Sequence, residues 1–186
     1  LHAIFTGAFD DGFAVFIKPL TEEFGWSKAE ITGAFTLCLL VSGLASISAG
    51  GILDRFGGRW LMTGASALGV VLLGAASFTE SLLSYYLVWI GIGLVTAATF
   101  YPSGFAVVVA TLGARARQGV TLMTLIAGFA STVFIPLISL LIDQVGWRDS
   151  FMYLGIILLA TSVPIHAMVL RQERVPGAGA TDRPRI

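Results

Sequence analysis

Two adjacent carboxylates, Asp10 and Asp11, interrupt the apolar run that opens the chain, LHAIFTGAFDDGFAVFI. An aspartate inside a hydrocarbon layer costs about 2.5–3.5 kcal/mol on insertion scales, so such a residue ordinarily faces a cavity or a partner. Burial disfavours the charged form of a carboxylate, which suits a group that takes up and releases a proton or pairs with a cation. Neighbouring helix positions point about 100° apart, so the two aspartates need not share one surrounding. A second charged group stands in GGILDRFGGRW, residues 50–60, where Asp54, Arg55 and Arg59 are set among four glycines. These charges can pair with one another and with helix ends. A third chemistry is nucleophilic: Ser66 and His166 make a serine–histidine pair only if the fold brings them within hydrogen-bond distance. Nothing in the pattern calls for a metal or a cofactor.

The elements that must hold these groups are membrane helices. The chain of 186 residues is 56% hydrophobic and 12% charged, whereas a soluble domain carries about a quarter charged residues. Its apolar residues form blocks long enough to cross a bilayer, which takes about 20 residues per helix. Net charge is zero, which gives no footing for a nucleic-acid partner. The single cysteine, Cys38, cannot form an intrachain disulfide and reads as a small packing residue. Leu1 already lies in an apolar run, with no basic stretch before it and no small-residue cleavage site before Lys18. That is not a signal peptide. The chain reads as a fragment that starts inside its first membrane helix.

Six apolar segments can be marked, at roughly 1–18, 28–53, 59–79, 82–112, 119–142 and 148–170. Lys18-Pro19 ends the first, and Ser27-Lys28-Ala29-Glu30 is a capping box that starts the second. The fourth is too long for a ~30 Å hydrocarbon core and predicts a tilt or a kink at Pro102. If Lys18 sits at a membrane surface, Asp10 and Asp11 lie roughly 10–12 Å below it, near the midplane. The other reading of the pair is a membrane boundary.

Placing the start of the chain in the cytoplasm puts Arg55, Arg59, Arg115, Arg117, Arg171, Arg174, Arg183 and Arg185 inside, against Lys18, Lys28 and Arg148 outside. This asymmetry satisfies the positive-inside rule. Residues 50–59 then form a short cytoplasmic loop. A multi-pass protein of the inner or plasma membrane is expected, with both ends of this segment cytoplasmic. Residues 1–170 form the membrane domain, and 171–186 read as a disordered cytoplasmic linker. An internal echo supports the layout: GFAV occurs at 12–15 and 104–107, and ILDRFGGR (52–59) returns as LIDQVGWR (141–148). Three spans repeated after three spans enter from the opposite side, so 1–79 and 82–170 form an inverted repeat.

Gly50, three residues, Asp54-Arg55-Phe56-Gly57 and then Arg59 resemble the loop signature of the major facilitator superfamily. The fold implied is all-α: six transmembrane helices as a 3+3 inverted repeat, half of a twelve-helix transporter. A C-terminal six-helix half, absent from this chain, is then a partner, along with the lipid bilayer and a small-molecule substrate. In that family the loop latches the two halves together on the inside, so Gly50, Asp54, Arg55, Gly57 and Arg59 are candidates for a conformational switch. Gly58 departs from the pattern, where a basic residue is more usual. VFIKPLTEEFGWSKAEI (15–31) and GWRDSF (146–151) look like the monocarboxylate-porter branch. Leu87 stands where many drug antiporters carry an arginine before Gly91-Ile92-Gly93. Span five has Pro136 but lacks their run of spaced glycines, which argues against a multidrug exporter.

In the family, spans one, two, four and five surround the substrate cavity, which makes Phe100, Tyr101, Thr121 and Thr124 candidate lining residues beside Asp11 and Asp10. Asp11 aligns near a lysine that animal monocarboxylate porters use for substrate and proton. The sign is reversed here, so that specificity does not carry over, and a protonatable acid or a cationic substrate fits better. The function implied is secondary active transport by alternating access, coupled to protons or ions or running as an exchanger, and not an enzyme. The rival readings are an intramembrane serine protease, since Gly64-Ala65-Ser66-Ala67 resembles the rhomboid nucleophile motif, and a channel.

Overall fold

The computed structural model describes residues 12–56, 58–99, 105, 108, 109 and 112–169. Every regular element among them is helical: α1 (Phe13–Phe24), α2 (Lys28–Phe56), α3 (Gly58–Ser77), α4 (Leu82–Thr99), a 3-10 turn (Gly113–Arg115), α5 (Ala116–Gly128) and α6 (Ala130–Val169). Helix α6 is two helices joined at Gly146, whose φ of 85° and ψ of 166° no helix contains. Among the described residues, four stretches are long and apolar enough to cross a membrane: Lys28–Leu53, Arg59–Ser77, Leu82–Thr99 and Gly113–Ile165. The last runs to 53 residues, more than twice the ~20 that one crossing needs. The Gly146 break divides it.

Helix α1 corrects the expected end of the first segment. It runs through Lys18 and Pro19 to Phe24 and stops at Gly25, which takes the left-handed φ of 69° and donates its N–H to the Thr21 carbonyl at 3.0 Å. A proline in a helix forfeits one donor, yet Phe13, Phe16 and Leu20 keep an i, i+3, i+7 stripe buried on either side of it. The stripe outweighs the lost bond. Helix α2 starts as its sequence predicts. Glu30 accepts from the Ser27 N–H at 2.8 Å and from the Ser27 hydroxyl at 2.7 Å, and the Glu30 N–H donates back to that hydroxyl at 3.2 Å.

Helix α2 packs along α4, and α3 along α6. The buried stripes share one spacing: Ile31, Ala34 and Cys38 on α2, and Phe151, Leu154 and Leu158 on α6. Between α2 and α4 the approach is set by Gly93, where an added Cβ would stand 2.6 Å from the Cys38 carbonyl oxygen. Only a glycine fits against backbone at that distance. The opposite faces are apolar and bare, with Leu44 and Ile47 respectively 74% and 80% exposed. Aromatic rings gather where α1 meets its neighbours. Phe13 stacks on Phe35 of α2 at 4.6 Å, and Phe16 on Phe151 of α6 at 4.1 Å.

Candidate functional site

Thr121 and Thr124 lie one helical turn apart on α5, both exposed. They line a shallow, wide-open hollow on the surface of α5 together with Val120, Leu125, Gly128 and Phe129, all of them from that helix and its C-cap. Each hydroxyl donates to its own helix, Thr121 to the Arg117 carbonyl and Thr124 to the Val120 carbonyl, both at 2.9 Å. Their protons are therefore committed, and what they present to the hollow is oxygen lone pairs. Such a wall accepts hydrogen bonds from a solute and is otherwise apolar. It carries no charge, so any recognition of a charged group has to come from elsewhere. Asp10, Asp11, Phe100 and Tyr101 lie outside the described residues.

The stretch at residues 50–59 is less a loop than two helix ends. Gly50, Gly51, Asp54 and Arg55 belong to the last turns of α2, and Arg59 to the first turn of α3. Gly57, between them, lies outside the described residues. A Cβ added at Gly50 would meet nothing within 4 Å. The space beside Gly50 is open among the described residues. Charge placement is informative in another way. A helix favours cations at its C-terminus and anions at its N-terminus, and here Asp54 ends α2 while Arg59 begins α3. Asp54 and Arg59 occupy the ends that the helix dipole disfavours, while Arg55, next to Asp54, occupies one it favours. Arg59 lies 5.7 Å from the centre of the Trp60 ring.

The echoed motif at the other end of the bundle shows how such a charge is satisfied. Gly146 breaks α6 89 positions after Gly57, and Arg148 begins the following helix as Arg59 begins α3. Arg148 Nη1 donates to the Ser77 carbonyl at 2.9 Å and the Thr79 carbonyl at 3.1 Å, at the C-terminal end of α3. Its Nη2 donates to Glu23 Oε1 on α1 at 2.8 Å. The other carboxylate oxygen, Oε2, accepts from the Trp147 indole N–H. The guanidinium also lies 4.4 Å from the Trp147 ring centre and 5.7 Å from that of Phe24. These bonds hold the Glu23 carboxyl below its ordinary range, the Trp147 bond most and the Arg148 bond next, against a small opposing effect of burial. Sequence reasoning placed Arg148 among the outer charges and in the echoed motif, without pairing it with Glu23. The available signal was the correspondence of Arg148 with Arg59.

Ser66 is fully buried within α3, and the His166 side chain lies outside the described residues, as do residues 171–186. Among the described residues no group of three or more His, Cys, Asp or Glu stands ready to hold a metal.

Human monocarboxylate transporter 7 is 26% identical over 178 residues, covering 94% of this chain and 33% of the relative. Mouse monocarboxylate transporter 4 is 31% identical over 192 residues, covering 97% of this chain and 38% of the relative. Its rat counterpart is 30% identical over 162 residues, 83% of this chain and 33% of the relative. The chain thus spans about a third of the length of the curated relatives it matches. The profile of the Major Facilitator Superfamily matches residues 1–185. With the match running along the whole bundle and its serine buried, the serine-protease reading has no support, and the chain belongs to the Major Facilitator Superfamily.

Proposed function

We propose that this chain supplies the first six-helix half, residues 1–170, of a secondary transporter that moves a small solute by alternating access. Family membership along the whole chain carries this reading. Residues 171–186 act as the linker to a second six-helix half, and the two halves rock about a cavity between them. The hollow beside Thr121 and Thr124 contributes an apolar wall with hydrogen-bond acceptors, a common composition for a small-molecule site. Phe100 and Tyr101 are further lining candidates, on the family resemblance alone. Asp11, with Asp10 as the weaker candidate, is the coupling group: access alternating between the two sides lets one carboxylate load a proton from one compartment and release it into the other. Residues 50–59 act as the conformational switch, because the charges of Asp54 and Arg59 stand at disfavoured helix ends and gain partners in one state only.

The names of the relatives favour a monocarboxylate as the solute. An ionised Asp11 repels an anion, so a monocarboxylate would move only with Asp11 protonated, which makes proton and solute travel together. The test uses the full-length protein in proteoliposomes with a panel of monocarboxylates and small organic cations. Asp11→Asn should abolish accumulation driven by a pH gradient yet permit exchange of solute for solute. If uptake and its pH dependence are unchanged, Asp11 has no coupling role. The proposed orientation, with Arg59 inside and Arg148 outside, is checked by cysteines at Ala114 and Glu22 in a Cys38→Ala background. These should label from the cytoplasmic and external sides respectively, and the reverse pattern sinks the orientation.

A further inference from the structure

The contacts of Arg148 do more than pair two charges, because they involve three separate helices. Glu23 ends α1, the Ser77 and Thr79 carbonyls end α3, and Arg148 opens the second part of α6. Compare the exposed pair Lys18–Glu22, one turn apart on α1 and 3.9 Å across, with side chains 84% and 67% exposed. A pair of that kind holds nothing together and contributes little. Arg148 and Glu23 are 37% and 42% exposed, 2.8 Å apart, and the carboxylate is gripped on both oxygens. The guanidinium is a planar fork that can reach a carboxylate and two carbonyls at once, which an ammonium on a flexible stem cannot do in fixed geometry. Its positive charge also lies against the negative C-terminal end of the α3 dipole, where it is favoured.

We propose that Arg148, with Trp147 and Glu23, is a positioning joint that locks the end of α1 to the ends of α3 and α6, so that α1 moves with the bundle as one body. The consequence for transport rests on the transporter reading; the joint itself does not. Helix α1 has few other attachments of this strength. Among the described residues its remaining neighbours are apolar and aromatic contacts, which permit sliding and tilting, whereas a hydrogen-bonded fork fixes both register and angle.

The test measures distance by spin labels at Glu22 and Glu80 in the full-length protein, in a Cys38→Ala background. The parent should give one narrow distribution. Arg148→Ala should broaden it, with the docked population falling about tenfold or more relative to the undocked, which is the worth of one charge-assisted hydrogen bond. Arg148→Lys, which keeps the charge and is gentler on folding, should broaden it as well. The decisive variant is the swap Glu23→Arg with Arg148→Glu. A simple charge pair would be restored by the swap, but the joint would not, because a carboxylate at position 148 faces the Ser77 and Thr79 carbonyls. A narrow distribution in the swap, or in either single variant, overturns the proposal. Transport at saturation should fall in the broadened variants while the half-saturating concentration moves less than about twofold. An intact joint in a protein that moves no solute would sink the transporter reading and leave this one standing.

Discussion

Arg148 and Glu23 lie 125 positions apart in the chain and 2.8 Å apart in space. That approach requires α1 to continue past Pro19, since only the last turn of the helix brings Glu23 and Phe24 to the guanidinium. Extending α1 and forming the joint are therefore one structural event. The proline is tolerated because the end of the helix is held from outside, by Trp147 and Arg148 on Glu23 and by the Phe24–Trp26 stack at 4.3 Å.

The Glu23 carboxyl, held below its ordinary 4.5 by those partners, fixes the pH window in which the joint works. A carboxyl whose folded pKa is depressed contributes stability that is present above its unfolded pKa and lost as pH falls through the folded value. The thermal stability difference between the parent and Glu23→Gln in detergent should therefore be constant from about pH 5.5 to pH 8 and should shrink only at more acid pH. Partial exposure of both partners keeps the difference modest. A difference that changes between pH 6 and pH 8 would assign the titration to another group. Whatever pH dependence transport shows near neutrality belongs, on this reading, to Asp11 and not to Glu23.

Three glycines to alanine separate packing from function. At Gly93 the new Cβ meets backbone, the Cys38 carbonyl oxygen at 2.6 Å, so α2 and α4 must move apart. Gly93→Ala should destabilise by about 1–3 kcal/mol. At Gly91 the obstacle is the end of the Leu72 side chain at 2.7 Å, which can rotate away, and the loss should be smaller. Gly50 has open space and lies within α2, so Gly50→Ala should be neutral or stabilise by up to about 1 kcal/mol through helix propensity. If the switch uses that open face, the same variant slows transport without any loss of stability. Thermal unfolding and transport rates on the three proteins decide, and an order of stability with Gly50→Ala lowest contradicts the packing described.

How much of this was legible in the sequence follows from the range of each interaction. The Ser27–Glu30 capping box was legible because both partners sit three residues apart and the chemistry is local. Pro19 misled, because one missing donor is a local signal, and among the contacts that override it those of Trp147 and Arg148 come from more than a hundred positions away. The joint needed the fold, since nothing in EEFGW or GWRDSF says that the two segments meet. Of the proposed cavity residues, Thr121 and Thr124 fall together on one hollow, while Asp10, Asp11, Phe100 and Tyr101 lie outside the described residues.

Thr121 and Thr124 offer the sharpest test of the cavity wall. Their hydroxyl protons go to the Arg117 and Val120 carbonyls, so only oxygen lone pairs face the hollow. A solute with hydrogen-bond donors gains from them, and one with acceptors alone does not. Threonine to valine keeps the shape and removes the oxygen. It should also leave α5 intact, because the lost bond is a side chain returning to its own helix, which adds little to helix stability. The Thr121→Val, Thr124→Val double variant should therefore unfold at nearly the parent temperature. Its affinity for a donor-bearing solute should fall about tenfold, the worth of one or two ordinary hydrogen bonds, and its affinity for a solute without donors should stay the same. Threonine to serine keeps the oxygen and should retain both affinities. Equal weakening toward every solute would mean that valine changed the shape of the wall. No weakening toward any solute would remove α5 from the site.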